Sequence, residues 1–387
     1  MGIMAYKNTP NMVCMHMKSE MTHVSRNRGI DVVRVLMTLL VIFHHAAIGY
    51  GGSGGWFWRE QPNASSSLLV MFNAINQSYF MGVFFLLAGY YTPKSYVRKG
   101  TAKFLMDRLL RLGLPLLTFF FILYPFTVAI AQAGQGRPLI KLWWDLIIAG
   151  KFGPGPLWFA IALLIFAMCY AIWQTCRRRA GWSAVSVDAL PAMPALALIA
   201  LGLGLLSFIV RLVMPVGREF LWLQLGYFSC YAFFYIAGCA AARSGLLERI
   251  TLRDAAGWLI VSILAISTLP LMLMIRGRLG GFEGGWNINA FYYAIWDPAV
   301  AFGVILGLLA VAQRWGRNST QIVSRLGSTA FGAFILHPPV LVALSVLAMP
   351  WAAAPVLKFI VIGCAACVAS FALSAAIKSL PGVSKII

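Results

Sequence analysis

The sequence predicts an all-α membrane protein, a polytopic bundle of about ten transmembrane helices, and three observations carry that prediction. Apolar runs of about twenty residues recur along all 387 positions. Hydrophobic residues make up 60% of the chain and charged residues only 11%. Basic residues gather in alternate connecting segments, the pattern of the positive-inside rule.

The elements follow in order. Residues 1–28 are polar, hold Cys14 and six methionines, and are expected to form a cytoplasmic tail, with Met12, Met15, Met17 and Met21 as alternative starts. Ten spans are expected near 30–50, 68–91, 109–131, 156–174, 190–213, 221–242, 257–275, 289–312, 328–348 and 353–376. The first reads as a retained span and not a cleaved signal, because it is long, contains Arg34 and ends without a small-residue cleavage site. The second ends at Ala88-Gly89-Tyr90-Tyr91-Thr92-Pro93, and the third opens on Arg108 and Arg111. The eighth carries Asp297-Pro298, the ninth His337-Pro338-Pro339, and the tenth Cys364-Ala-Ala-Cys367. Residues 29–378 thus form one transmembrane domain, and 379–387 a short cytoplasmic tail. No internal repeat, coiled coil or appended soluble domain is visible.

A net charge of +20 would suggest nucleic acid in a soluble chain. Here topology accounts for it: with the N-terminus inside, 21 of the 31 basic residues fall on the inner side. Seven lie outside, namely Arg59, Arg137, Lys141, Lys151, Arg218, Arg276 and Arg278, and Arg34, Arg211 and Lys358 fall within spans. Both termini are therefore expected in the cytoplasm, and no nucleic-acid partner is required. Of the seven cysteines, five lie inside apolar spans, so no disulfide framework is expected. Cys364 and Cys367 have CxxC spacing, but apolar surroundings and the lack of a second ligand pair favour helix packing over a metal site. Gly303 and Gly307 read as packing residues in the same way.

Arg34 and His45 stand eleven residues apart in the first span. Eleven residues return a helix to within about 20° of its start while it rises about 16 Å, so the two share a face at different depths. Asp31 falls near that face, and His44 points away from it. The bland reading is a snorkelling arginine and hydrogen-bonded core histidines. Ionisable groups inside a membrane helix favour a functional one. By helical rise Arg34 lies about 6 Å from the cytoplasmic surface and His45 about 22 Å, in the outer third of a roughly 30 Å core. Arg108 and Arg111 are expected side by side at the cytoplasmic start of the third span.

Arginine holds phosphates through its donor fork, and histidine takes a proton from a hydroxyl and returns it to a leaving group. Together they suit a phosphate-bearing donor on the inside and a hydroxyl acceptor from the outside, as in acyl transfer from coenzyme A to a sugar. Asp297, at a depth like that of His45, either orients the imidazole, binds a sugar hydroxyl, or satisfies backbone groups freed by Pro298. His337 is expected to line the pocket or support the broken helix beside Pro338 and Pro339. Trp56, Trp58, Trp158 and Trp286 are candidates for stacking on a sugar ring, with lipid anchoring as the default for each. The Gly-Gly pairs at 280–281 and 284–285 suggest a mobile outer loop without chemistry.

The chain resembles the integral-membrane acyltransferase 3 family. The resemblance rests on Ile30-Asp31-xx-Arg34-x10-His45, Val83-Phe84-Phe85-Leu86-Leu87-Ala88-Gly89-Tyr90, Phe104-Leu105-xx-Arg108-xx-Arg111-Leu112-x-Leu114-Pro115, Gly155-Pro156-Leu157-Trp158-Phe159 and Phe334-Ile335-Leu336-His337-Pro338, in that order. It implies that His45 is catalytic with Arg34 beside it, and that Arg34, Arg108 and Arg111 bind the donor. Asp297, His337 and Trp158 then remain as candidates for the acceptor. It also implies acyl-CoA as cosubstrate with no permanently bound cofactor, an extracytoplasmic glycan or other hydroxyl acceptor, and a place in the bacterial cytoplasmic membrane. The acidic segment of the O-antigen acetylating branch is replaced by Leu157–Leu164, which has no carboxylate, and no hydrolase-like domain follows the last span. The chain is more similar to the stand-alone branch that includes the glucan-biosynthesis succinyltransferase, which leaves acetyl and succinyl both open. The rival reading is a secondary transporter for an anionic or proton-coupled solute, against which stands the lack of visible duplication between the halves.

Overall fold

The computed structural model describes residues 27–61, 65–133, 137–183, 185–275, 281–316 and 321–385. The expected tail through Arg26, including Lys7, Lys18 and Cys14, lies outside the described residues, as do Arg276, Arg278, Gly280 and Arg317. Eleven helices follow one another: α1 (Arg28–Gly49), α2 (Ser67–Lys99), α3 (Thr101–Ala133), α4 (Leu139–Ile148), α5 (Trp158–Arg179), α6 (Met193–Val213), α7 (Phe228–Ala241), α8 (Leu252–Ile275), α9 (Ile288–Gly316), α10 (Gln321–Leu347) and α11 (Pro355–Lys378). Among the described residues there is no strand beyond an isolated bridge between Phe220 and Leu223. Among the described residues, nine helices are long and apolar enough to cross a bilayer. The protein is an integral membrane helical bundle.

The sixth expected span, 221–242, is shorter than the sequence suggested. Residues 221–224 form an irregular turn in which Leu221 and Trp222 adopt positive φ of 50° and 63°. The apolar helix is confined to Leu225–Ala241, a length of about 26 Å at 1.5 Å per residue, still close to a hydrocarbon core. The second span runs past its expected end: α2 continues through Pro93 to Lys99, and the Thr92 hydroxyl donates to the Ala88 carbonyl one turn back. α2 stops at Gly100, whose φ of 73° no longer continues a helix. The third span begins earlier than expected and is interrupted by two π turns, Leu109–Gly113 and Phe119–Leu123. α4 is an addition: only Leu142 is buried, while Ile140, Trp144 and Ile148 are exposed, the profile of a helix lying along the bundle.

Long-range bonds sort the connections into two ends. At one end Asn27 donates to Gln313, Tyr90 to Glu248, Arg249 to the Asp188 carbonyl, and Lys378 to the Ser328 carbonyl. At the other, Lys358 pairs with Glu60, and the Val216 amide donates to the Glu283 carbonyl. We call these the tail end and the cavity end. α1 and α9 are the most enclosed spans and α8 the least. Two crossings depend on glycine. A Cβ on Gly89 would lie 2.0 Å from the Tyr235 carbonyl oxygen, and one on Gly303 would lie 2.0 Å from the Trp258 carbonyl oxygen. α2 thus packs backbone to backbone on α7, and α9 on α8, the close approach small residues permit where no hydrophobic force joins helices in lipid. Cys367 is buried against α1 and Cys364 is exposed, both as free thiols.

Candidate functional site

A cavity of about 830 Å³ opens at the cavity end, within the range that holds a small-molecule ligand. His44 and His45 of α1, Trp56 of the following loop, Gln77 of α2, Trp158 of α5 and Tyr231 of α7 line it. Glu219 and Glu283 stand in its wall. Aromatic faces with scattered amides and carboxylates are a surface suited to a polyhydroxylated ligand.

His45 is held from both sides. Trp56 stacks on its ring with centroids 4.1 Å apart and planes 15° apart. His337 of α10 approaches with rings nearly parallel at 16°, its Nε2 lying 3.0 Å from His45 Nδ1. His337 is fully buried and sits behind His45, so it backs the cavity and does not line it. Its own Nδ1 lies 2.6 Å from the Phe334 carbonyl oxygen. A helix would pair that carbonyl with the amide of residue 338, but position 338 is proline.

His44 faces α2. Asn76 approaches its Nδ1 at 3.1 Å and Asn73 donates to its backbone carbonyl at 3.0 Å. Both asparagines are buried, and Gln77, one residue on, donates to the Tyr231 hydroxyl at 3.0 Å. These amides lock α1 against α2 and set the cavity floor. Sequence reasoning passed over them because a single asparagine in an apolar run has no spacing signature.

Toward the tail end, Arg34 pairs with Asp31 at 3.0 Å and keeps a third of its side chain exposed. Tyr91 of α2 lies beside the same pair. Arg108 rests on the Phe104 ring at 5.3 Å and faces Tyr235 and Cys239 of α7. Tyr235 in turn donates to Thr92, the neighbour of Tyr91. Arg34 and Arg108 therefore approach the same stretch of α2 from different sides. Arg111 departs from the expectation: it is exposed and bonded to Asp107, which also holds Lys99. A π turn begins at Leu109, between Arg108 and Arg111, and the two guanidinium groups remain close enough to act on each other.

Asp297 also stands elsewhere. It pairs with Arg211 of α6, in a buried cluster where Tyr227 and Tyr293 flank the guanidinium at 5.2 and 5.1 Å, and Arg211 Nε donates to the Gly226 carbonyl. Its carboxylate is committed to that cation and does not meet His45. Trp158 does join the cavity, stacking on Tyr231. Of the other tryptophans, Trp58 is packed against Tyr50 and Trp286 is exposed. Among the described residues no group of three or more histidine, cysteine or acidic side chains has the arrangement of a metal site.

A family model described as an acyltransferase domain, of the acyltransferase 3 type, matches residues 27–378. Among curated proteins, the glucans biosynthesis protein C of Escherichia coli K12 is 27% identical over 164 residues, covering 39% of this chain and 40% of the relative. The proteins of the same name from strains SMS-3-5 and O1:K1 match to the same extent. The chain thus aligns with less than half the length of these relatives. No solved structure matches it.

Proposed function

For a chain that belongs to the acyltransferase 3 family, we propose a membrane-embedded O-acyltransferase that moves an acetyl or succinyl group from acyl-CoA to a hydroxyl of an extracytoplasmic carbohydrate. The observation that carries this reading is His45, stacked and hydrogen-bonded at the wall of an aromatic cavity, on the same helix as Arg34. The name of the relatives, glucans biosynthesis protein C, supports a carbohydrate acceptor.

In this reading the tail end faces the cytoplasm of a bacterial inner membrane, in keeping with the excess of lysine and arginine there. Arg34 and Arg108 receive the coenzyme A phosphates, with Arg111 at the rim, and the pantetheine arm carries the thioester about 16 Å up α1 toward His45. An acceptor hydroxyl enters from the cavity end and loses its proton to His45. The oxygen attacks the thioester carbonyl, the carbon–sulfur bond breaks, and the proton passes from the imidazolium to the departing thiolate. Trp56, Trp158 and Tyr231 hold the sugar faces.

The test is transfer of label from radiolabelled acetyl- and succinyl-CoA to glycans in inside-out vesicles. Label from one donor, lost in His45→Ala and reduced in Arg34→Ala, is the expected result. Full transfer by a correctly inserted His45→Ala protein refutes the proposal.

A further inference from the structure

We infer that His337 is a positioning residue that fixes which nitrogen of His45 is free to take a proton, and that Pro338 sets this arrangement by leaving the Phe334 carbonyl without its helical donor. The inference rests on His45 being the base of the proposed reaction.

One chain of hydrogen bonds joins the Phe334 carbonyl to His45 through His337. The Phe334 carbonyl oxygen only accepts, and the backbone amide that would normally reach it is missing at Pro338. Its partner is His337 Nδ1 at 2.6 Å, which must therefore carry the hydrogen. In a neutral imidazole the other nitrogen is then an acceptor, so His337 Nε2 presents a lone pair. That lone pair lies 3.0 Å from His45 Nδ1. His45 must donate there, so its proton sits on Nδ1 and its Nε2 is bare; the Val41 carbonyl, one turn back on α1, is a second acceptor within reach of the same ring. A bare Nε2 is what a general base needs, and the opposite tautomer would offer an acceptor hydroxyl an N–H instead.

Burial makes the arrangement firm. His337 is 0% exposed, so its nitrogens have only protein partners to bond. The Trp56 ring lies nearly parallel to both imidazoles, at 15° to His45 and 11° to His337. A carbonyl, an imidazole and a second imidazole thus do the work that a carboxylate and a histidine do in hydrolase triads, without placing a negative charge in the membrane.

The experiment is solid-state NMR on protein in lipid with ring-¹⁵N histidine, its five histidines assigned through the variants, together with kinetics of His337→Leu and His337→Gln. The unmodified protein is expected to show His45 protonated on Nδ1 and bare on Nε2. In His337→Leu the proton redistributes to Nε2 and kcat falls roughly 10²-fold or more, while KM for the acceptor stays nearly constant. In His337→Gln the side-chain carbonyl accepts from His45 and restores both the spectrum and most of kcat. A His45 proton found on Nε2 in the unmodified protein, or one that stays on Nδ1 when residue 337 is leucine, overturns the inference. So does a proton that moves without loss of kcat. An active His45→Ala protein would instead sink the acyl-transfer reading while leaving the spectrum to report the proton.

Discussion

Removing the carboxylate of Asp297 should unsettle the bundle more than removing its cation. Arg211 and Asp297 are 1% and 3% exposed, and breaking such a pair from one side costs roughly 3–5 kcal/mol. In a membrane the comparison is with inserted but unpacked helices, so depth decides how much of that cost appears. Arg211 lies two residues before the end of α6, where a dispersed helix lets it snorkel to the interface. Asp297→Ala therefore strands a cation only in the packed state, and the full ~3–5 kcal/mol applies, about a 10²- to 10⁴-fold change in the unfolding equilibrium. Asp297 lies nine residues into α9, about 14 Å along its axis, and is equally deep in both states. Arg211→Met should then cost less, about 1–2 kcal/mol, and the double variant should fall within about 1 kcal/mol of the unmodified protein. The assay is reversible unfolding in mixed micelles titrated with sodium dodecyl sulfate, followed by tryptophan fluorescence, on all four proteins. Equal costs for the two single variants, or a double variant no better than the worse single, would refute the depth argument.

Four further outcomes are expected. Gly89→Val should destabilise by roughly 1–3 kcal/mol in the same titration, because its side chain meets the Tyr235 carbonyl, whereas Gly55→Ala, with open space around it, should stay within about 0.5 kcal/mol. Asn76→Leu leaves His44 without its buried partner and should cost about 1–3 kcal/mol by the same readout. Trp56→Ala should lower kcat about 2- to 10-fold, the worth of one aromatic stack, and Trp56→Phe should keep most of the rate in the label-transfer assay. Lys358→Met frees Glu60 and the loop that carries Trp56, so trypsin should cut after Arg59 faster than in the unmodified protein, read as fragment appearance on gels.

Local signals carried far. The apolar runs gave the spans, and the Arg34-to-His45 interval gave a helix face, because both depend only on neighbours along one helix. Partners across the bundle were illegible for the same reason. His45 and His337 are 292 residues apart and Arg211 and Asp297 are 86 apart, separations at which no periodicity links them. Asp297 was drawn toward His45 by its matching depth, but depth leaves the azimuth open, and α9 turns it to α6. Trp56 read as one more interfacial tryptophan until the loop behind α1 folded back over the histidine. The π turn between Arg108 and Arg111 was hidden because it leaves no mark that a single sequence reveals.

Proline inside a helix is the first residue a thermostabilisation campaign would replace, since alanine restores a backbone bond and removes a kink. At position 338 that repair would take the Phe334 carbonyl away from His337. A sturdier scaffold would then be a poorer catalyst, and a screen scored on melting temperature alone would select the loss. Libraries built on this bundle should leave the ladder broken at that rung.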